Sequence, residues 1–360
     1  MKSKLILIAF LILSLILTGC NMPLSRPTET SAPIILPESS SVSQQPGSTQ
    51  FEPTQTAVIT PELPTPSLPP EIVHKDVPGA PIGKVLQTVH DQVDTATAPN
   101  KQAFGGDSFR TGKYERPFDQ SMNYLPLVDL VSVQLSREDP QWIYILFKVA
   151  KPFTDDPKAD THFMVELDTD LDNRGNYLIV TGMPKSKEWS TESVLVLANP
   201  DLNVGGVSVV KPDEKLSEGR GYYSEIFNNG VGEDADLAWS RLSRVDSAVA
   251  QIAFKNTLTG GEKGKFIWLP WSDAGILEWS LFEFNDHFTL SAAGYPVKDD
   301  MANYPIKALW GIDNTCRVPS GFTPTGTMPG LCGNYDPVPY KEDQPVPCSC
   351  DPRDKKCVCP

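Results

Sequence analysis

The chain has 360 residues, of which 40% are hydrophobic and 21% are charged, and its formal net charge is -14. Proteins that bind nucleic acid present a basic face to the phosphates, and no cluster of Lys and Arg interrupts this acidic chain. We therefore exclude DNA and RNA as partners. Calcium ions and cationic surfaces suit the charge better.

The N-terminus has the layout of a secretory signal peptide over residues 1–19, with Lys2 and Lys4 ahead of the apolar run 5–17. Residues 17–20, Leu-Thr-Gly-Cys, resemble the bacterial lipobox. That resemblance implies cleavage before Cys20, acylation of Cys20 by fatty acids such as palmitate, and a protein held at the cell membrane or cell surface outside the cytoplasm. The alternatives are an ordinary signal peptide and an uncleaved anchor helix.

The cysteine count agrees with lipidation, because seven is an odd number for an exported chain and Cys20 would leave six to pair. The six lie in a Cys-rich extension over residues 311–360: Cys316, Cys332, Cys348, Cys350, Cys357 and Cys359. We expect three disulfides, most simply Cys316 with Cys332 and the two Cys-x-Cys pairs with each other. Zinc held by the thiolates of those two pairs is the alternative.

Two N-terminal segments precede the folded part. Residues 20–70 are rich in Pro, Ser, Thr and Gln and cannot build a core, so we expect a disordered stalk. Residues 71–106 contain Val85, Leu86, Val89 and Val93 at the spacing of one or two amphipathic turns. We expect a flexible or loosely docked arm there.

Residues 107–310 consist of short β-branched and aromatic runs separated by Gly, Asn, Asp and Pro, and long helical periodicity is missing. This pattern predicts an all-β domain, an antiparallel β-sandwich. Ala248, Ala250, Ile252 and Phe254 share one face of a strand, while Ser247, Gln251 and Lys255 share the other. The predicted strands are 128–135, 142–149, 163–167, 177–180, 194–198, 248–254, 266–269 and 281–284.

The runs 128–135, 142–147 and 163–170 resemble the opening strands of sandwiches related to family 9 carbohydrate-binding modules and DOMON domains. The resemblance is one of pattern and covers the first half of the domain. It implies a sandwich that binds a sugar, haem or another ligand, and the haem-ligand arrangement cannot be assigned in this sequence.

The sharpest local motif is the run 168–176, in which Asp168, Asp170 and Asp172 alternate and Asn176 follows. Acids at alternate positions can converge on one hard cation, so we expect these four residues to bind structural calcium. The alternative is a solvated hairpin turn in which Asn and Gly adopt positive φ. Two other acidic loops, 199–206 and 232–236, could add ligands.

Four tryptophans are candidate ligand-binding residues: Trp189, Trp268, Trp271 and Trp279. Exposed indoles could stack on sugar rings. The alternative is that the last three fill the core, since a domain of this size needs large apolar side chains.

We expect a non-catalytic binding or display module directed at a cell-surface or environmental glycan. The block 106–112, Gly-Asp-Ser-Phe-Arg-Thr-Gly, resembles the nucleophile block of GDS-type esterases, but no buried strand precedes it and no Asp-x-x-His follows near the end. The two remaining alternatives are an exported hydrolase that uses Asp and Glu, and a structural envelope or adhesion protein.

Overall fold

The computed structural model divides the chain into two units, Met1–Ser67 and Leu68–Pro360. It describes residues 72–81, 85–103, 112–155, 160–202, 204, 221–279, 293–296, 302–325, 328, 330–333 and 337–339. The signal peptide, Cys20, the stalk, most of the esterase-like block and the last four cysteines lie outside these ranges. Within them, no helix is long and apolar enough to cross a membrane.

The described strands form two antiparallel sheets. The six-stranded sheet has the order β10-β11-β4-β3-β1-β15. Its strands are β1 (Val85–His90), β3 (Leu130–Ser136), β4 (Trp142–Val149), β10 (Ala238–Leu242), β11 (Val249–Lys255) and β15 (Pro337–Pro339).

The nine-stranded sheet has the order β2-β13-β12-β5-β6-β7-β8-β9, and β14 pairs with β12 beside this path. Its strands are β2 (Glu115–Arg116), β5 (His162–Asp168), β6 (Tyr177–Gly182), β7 (Val194–Ala198), β8 (Ser224–Asn228), β9 (Val231–Gly232), β12 (Phe266–Asp273), β13 (Ile312–Asn314) and β14 (Val318–Ser320). Four 3₁₀ turns lie between strands, at Asp94–Ala96, Ala98–Asn100, Phe153–Asp155 and Asn256–Thr259.

The main core lies between the two sheets. Ile145 and Phe147 of β4 face Phe163 and Val165 of β5, and all four are fully buried. The rings of Phe147 and Phe163 are 5.3 Å apart. Because side chains alternate along a strand, every second residue of each central strand reaches this core. The expected antiparallel β-sandwich is confirmed.

Both outer faces are covered as well. On the six-stranded sheet, Trp142 and Tyr144 cluster with Trp239. On the nine-stranded sheet, Met164 and Leu178 cluster with Trp271. The central strands therefore bury both faces, which is why β4 and β12 read as nearly continuous apolar runs.

The structure describes three segments more closely than the sequence pattern did. The predicted turns around Val89 are strand β1, which pairs with β3, and Val89 is 5% exposed. The arm is also docked farther upstream, since the backbone N–H groups of Lys75 and Asp76 donate to Asp236 Oδ2 at 2.8 and 2.9 Å. After residue 310 the chain adds β13 and β14 to β12. Long-range pairing, which a local pattern does not encode, decides all three. The predicted strand 281–284 lies outside the described residues.

A disulfide joins Cys316 to Cys332, in agreement with the simplest pairing. The two cysteines are 16 residues apart in sequence, and both pack against the main core. Replacing both with Ala should lower the free energy of unfolding by about 3 kcal/mol, since a bridge of this loop length restricts the unfolded chain by that amount. Urea unfolding of the oxidised proteins measures the difference. It should disappear when both proteins are fully reduced, and equal stability of the oxidised proteins would contradict the prediction.

A second prediction concerns the cross-strand pair His162 and Asp273, whose Nδ1 and Oδ1 atoms are 3.0 Å apart. Burial lowers the pKa of His162, but the hydrogen bond and charge of Asp273, with the charge of Asp160, raise it above 6.5 overall. Protonated His162 therefore stabilises the fold fully below pH 6.5, and this contribution is lost as pH rises through the higher folded pKa.

Substituting His162→Gln should cost about 1 kcal/mol at about pH 5.5 and clearly less at about pH 8.5. Urea unfolding at both pH values measures this, with His162→Phe as a second variant that cannot donate to Asp273. A loss that is the same at both pH values would show that the charge of His162 does not contribute.

Candidate metal centre

Three carboxylates converge where β5 ends and the chain turns back into β6. Asp168 is the last residue of β5, and residues 168–176 form what we call the Asp168 loop. Asp168, Asp170 and Asp172 each offer an oxygen within 4.8 Å of the others. Asp168 is 7% exposed, whereas the other two are on the surface. The convergence expected from the alternating acids is present.

Asp168 organises the loop backbone. Its Oδ1 accepts from the Leu171 N–H at 2.7 Å, and its Oδ2 accepts from the Asn173 N–H at 2.9 Å. Both of these residues have left-handed backbone, with φ of 66° and 71°. Asn tolerates that region, but Leu does so at a cost of about 1 kcal/mol. The loop thus holds a strained residue beside its three carboxylates, a feature that clusters at functional sites.

Asn176 is hydrogen-bonded within the Asp168 loop. Its Oδ1 accepts from the Thr169 N–H at 2.5 Å and from the Thr169 hydroxyl at 3.0 Å. Two donors occupy both lone pairs of this oxygen, so Asn176 closes the loop. Its role as a fourth metal ligand stays a prediction.

Gly175 permits a close contact beside the loop. A Cβ at this position would lie 1.5 Å from the hydroxyl of Tyr222, which donates to Glu166 at 2.7 Å. Gly175 is therefore needed for close approach and not for positive φ, which is a correction to the turn hypothesis. A small cleft opens here, with Glu166, Asp168, Arg174 and Arg317 in its lining.

The electrostatics of the Asp168 loop favour a cation. Burial raises the pKa of Asp168, its two backbone hydrogen bonds lower it, and the charges of Asp170 and Asp172 raise it, with a result of about 7. The pKa of Asp172 is also raised, first by burial and then by Asp170, against the opposing effects of Arg174. The three carboxylates repel one another, and a dication between them would remove that repulsion.

The other two acidic loops have different surroundings. Asn199 lies against the Asp168 loop, with its Nδ2 donating to the Gly175 carbonyl at 2.9 Å. Asp234 instead binds Lys255 at 2.8 Å, and Asp236 binds the docked arm. Only the first of these loops is therefore placed beside the calcium candidate.

The structure separates the four tryptophans into two groups. Trp268 and Trp271 are 0% and 1% exposed, so the suggestion that they stack on a ligand is wrong and the core alternative is right. Trp189 is half-buried, and the Arg241 guanidinium lies 4.3 Å above its ring. Trp279 is half-buried beside His162.

Sequence reasoning missed a second group of acids. Asp91, Glu115 and Asp313 offer oxygens within 4.8 Å of one another, and all three are buried. Their positions are so far apart in sequence that no motif could have grouped them.

No protein-family model, curated protein or solved structure matches this chain. The resemblance to carbohydrate-binding and DOMON sandwiches therefore stays an expectation drawn from the strand pattern.

Proposed function

We propose that this protein is a non-catalytic, lipid-anchored module of the cell surface, whose β-sandwich is stabilised by calcium at the Asp168 loop and binds carbohydrate. The observation that carries the proposal is the convergence of Asp168, Asp170 and Asp172 within 4.8 Å. Signal layout and cysteine count support the lipid anchor at Cys20.

Calcium suits the loop for chemical reasons. It takes six to eight oxygen ligands in irregular geometry, which three carboxylates and neighbouring carbonyls or water can supply. Magnesium requires near-ideal octahedral geometry and suits such a loop less well. The favourable free energy of binding the ion would also offset the conformational cost at Leu171, whose φ is 66°.

A binding role fits this arrangement better than hydrolysis. The three acids lie on one hairpin loop, whereas hydrolysis of a glycoside uses two carboxyl groups on opposite sides of the bond that is cleaved. Both carboxylate oxygens of Asp168 also accept hydrogen bonds from backbone N–H groups of its own loop. A cation held here would organise a surface without reacting with a ligand.

Aromatic residues beside the loop support carbohydrate as the ligand class. The Tyr222 N–H donates to the Trp279 carbonyl at 2.9 Å, and the Tyr222 hydroxyl contacts Glu166 near the loop. The next residue, Tyr223, is 48% exposed. Amphipathic rings of this kind stack on sugars, so Tyr223 and Trp279 form the proposed ligand surface.

Calcium should raise the melting temperature of the protein and chelator should lower it. At a hundred times its dissociation constant, an ion that binds only the folded loop adds about 2.7 kcal/mol of stability. Asp170→Asn should lose most of this dependence. Glu192→Gln, which removes an exposed carboxylate elsewhere, should keep it. Scanning calorimetry in metal-stripped buffer measures all three proteins. A wild-type curve that responds to neither calcium nor chelator would leave only the hairpin-turn alternative.

Glycan binding should depend on calcium and on Tyr223. The Cys20→Ser protein, which we expect to leave the membrane, is the soluble form for glycan arrays. Tyr223→Ala should weaken binding about fivefold, since one aromatic contact contributes about 1 kcal/mol. Tyr304→Ala removes a tyrosine that is 38% exposed and should have no effect. Absence of binding to any glycan, with calcium stabilisation intact, would favour the structural or adhesion role.

A further inference from the structure

A second group of acidic residues brings together side chains from both sheets. Asp91 directly follows β1 of the six-stranded sheet, while Glu115 of β2 and Asp313 of β13 are cross-strand partners in the nine-stranded sheet. We call these three residues the buried acid cluster. They come from three segments that are distant in sequence and that belong to both sheets. An interaction that joins these three side chains therefore also joins the two sheets.

The cluster is fully enclosed. Glu115 and Asp313 are 0% exposed, Asp91 is 7% exposed, and each contributes an oxygen within 4.8 Å of the other two. Carboxylates are almost never buried in this way unless they are paired or coordinate a metal. Some partner must therefore compensate their charge.

Two of these residues are each hydrogen-bonded through one oxygen only. Asp313 Oδ2 accepts from the Leu130 N–H at 2.6 Å, and Asp91 Oδ1 accepts from the Lys113 ammonium at 2.9 Å. Their second oxygens, Asp313 Oδ1 and Asp91 Oδ2, are buried and have no hydrogen-bond partner among the described residues. Buried polar atoms in native proteins are nearly always satisfied, so these two oxygens point to a missing ligand.

Asp129 extends the group of acids. It is 0% exposed, and its Oδ2 accepts from the Tyr124 hydroxyl at 2.6 Å and from the Asp94 N–H at 2.8 Å. Its Oδ1 also lacks a hydrogen-bond partner within the described ranges. Burial raises the pKa of Asp313 first, and the charges of Asp91 and Asp129 raise it further, so Asp129 adds to the negative potential of the cluster.

Lys113 offsets one charge of the cluster through its contact with Asp91 Oδ1 at 2.9 Å. Burial raises the pKa of Glu115 first, and the charges of Asp313 and Asp91 raise it further. Buried carboxyl groups at this distance favour either shared protons or a bound cation of charge two.

We propose that Asp91, Glu115 and Asp313 bind one hard divalent cation, with Asp91 Oδ2 and Asp313 Oδ1 among its ligands. An all-oxygen, carboxylate-rich set selects calcium, magnesium or manganese over the softer metals. The ion would cross-link β1 to β2 and β13, and so fasten the six-stranded sheet to the nine-stranded sheet. It is separate from the Asp168 loop and does not depend on the function proposed for that loop.

The test uses the full mature chain with Cys20→Ser and Asp170→Asn, which removes the lipid and the loop site. Calcium alone is the probe, and equilibrium dialysis with elemental analysis measures bound metal. This protein should retain about one calcium ion per chain. Adding Glu115→Gln, which keeps the shape and removes one charge, should abolish that binding. No bound ion in the parent protein would overturn the proposal, and this result needs no cluster variant to fold.

Melting temperatures in calcium and in chelator separate metal binding from shared protons. If the cluster binds metal, Glu115→Gln should have a lower melting temperature than its parent in calcium. In chelator its melting temperature should equal or exceed that of the parent, because the substitution relieves repulsion in the empty cluster. Asp313→Asn, which can still accept from the Leu130 N–H, should show the same reversal. If Glu115→Gln instead melts at or above its parent in both buffers, the carboxyl groups share protons and the proposal fails.

Discussion

The other features of the structure depend on one interaction, the face-to-face packing of the two antiparallel sheets. In this packing the rings of Phe147 and Phe163 are 5.3 Å apart. It fixes which side chains of β4 and β5 point inward, and so sends Glu166 and Asp168 of β5 to the opposite face. A shift of one residue would bury those acids in the main core. The packing therefore decides where carboxylates are tolerated before any of them acquires a role.

The carboxylates concentrate where strands end. Asp168 terminates β5, Asp91 follows β1, and Asp129 precedes β3. At such places the ladder of hydrogen bonds stops and backbone N–H groups become available, as Asp168 and Asp313 each demonstrate. Acids at these positions satisfy the backbone of a neighbouring turn or strand, and their remaining oxygens can face a cation.

The two acid groups differ in what a cation would do. The Asp168 loop is a local feature on one hairpin at the surface, so an ion there would order the loop beside Tyr222. The buried acid cluster gathers three segments, with Asp91 from one sheet and Asp313 from the other. An ion at that place would act on the whole fold. Both proposals suit a chain of net charge -14, which gains from neutralisation at points where its acids crowd together.

The sequence alone determined the all-β class, because alternation and β-branched runs depend only on near neighbours, and the predicted limits of β4 and β7 match the structure. It also predicted the convergence of Asp168, Asp170 and Asp172, since residues on one short loop are close in any fold. Only the tertiary structure decided that Trp268 and Trp271 are buried, that residues 85–90 form a strand, and that Glu115 meets Asp313. The physical reason is that burial and strand pairing join residues far apart in sequence, and no local pattern records which strand will lie beside which.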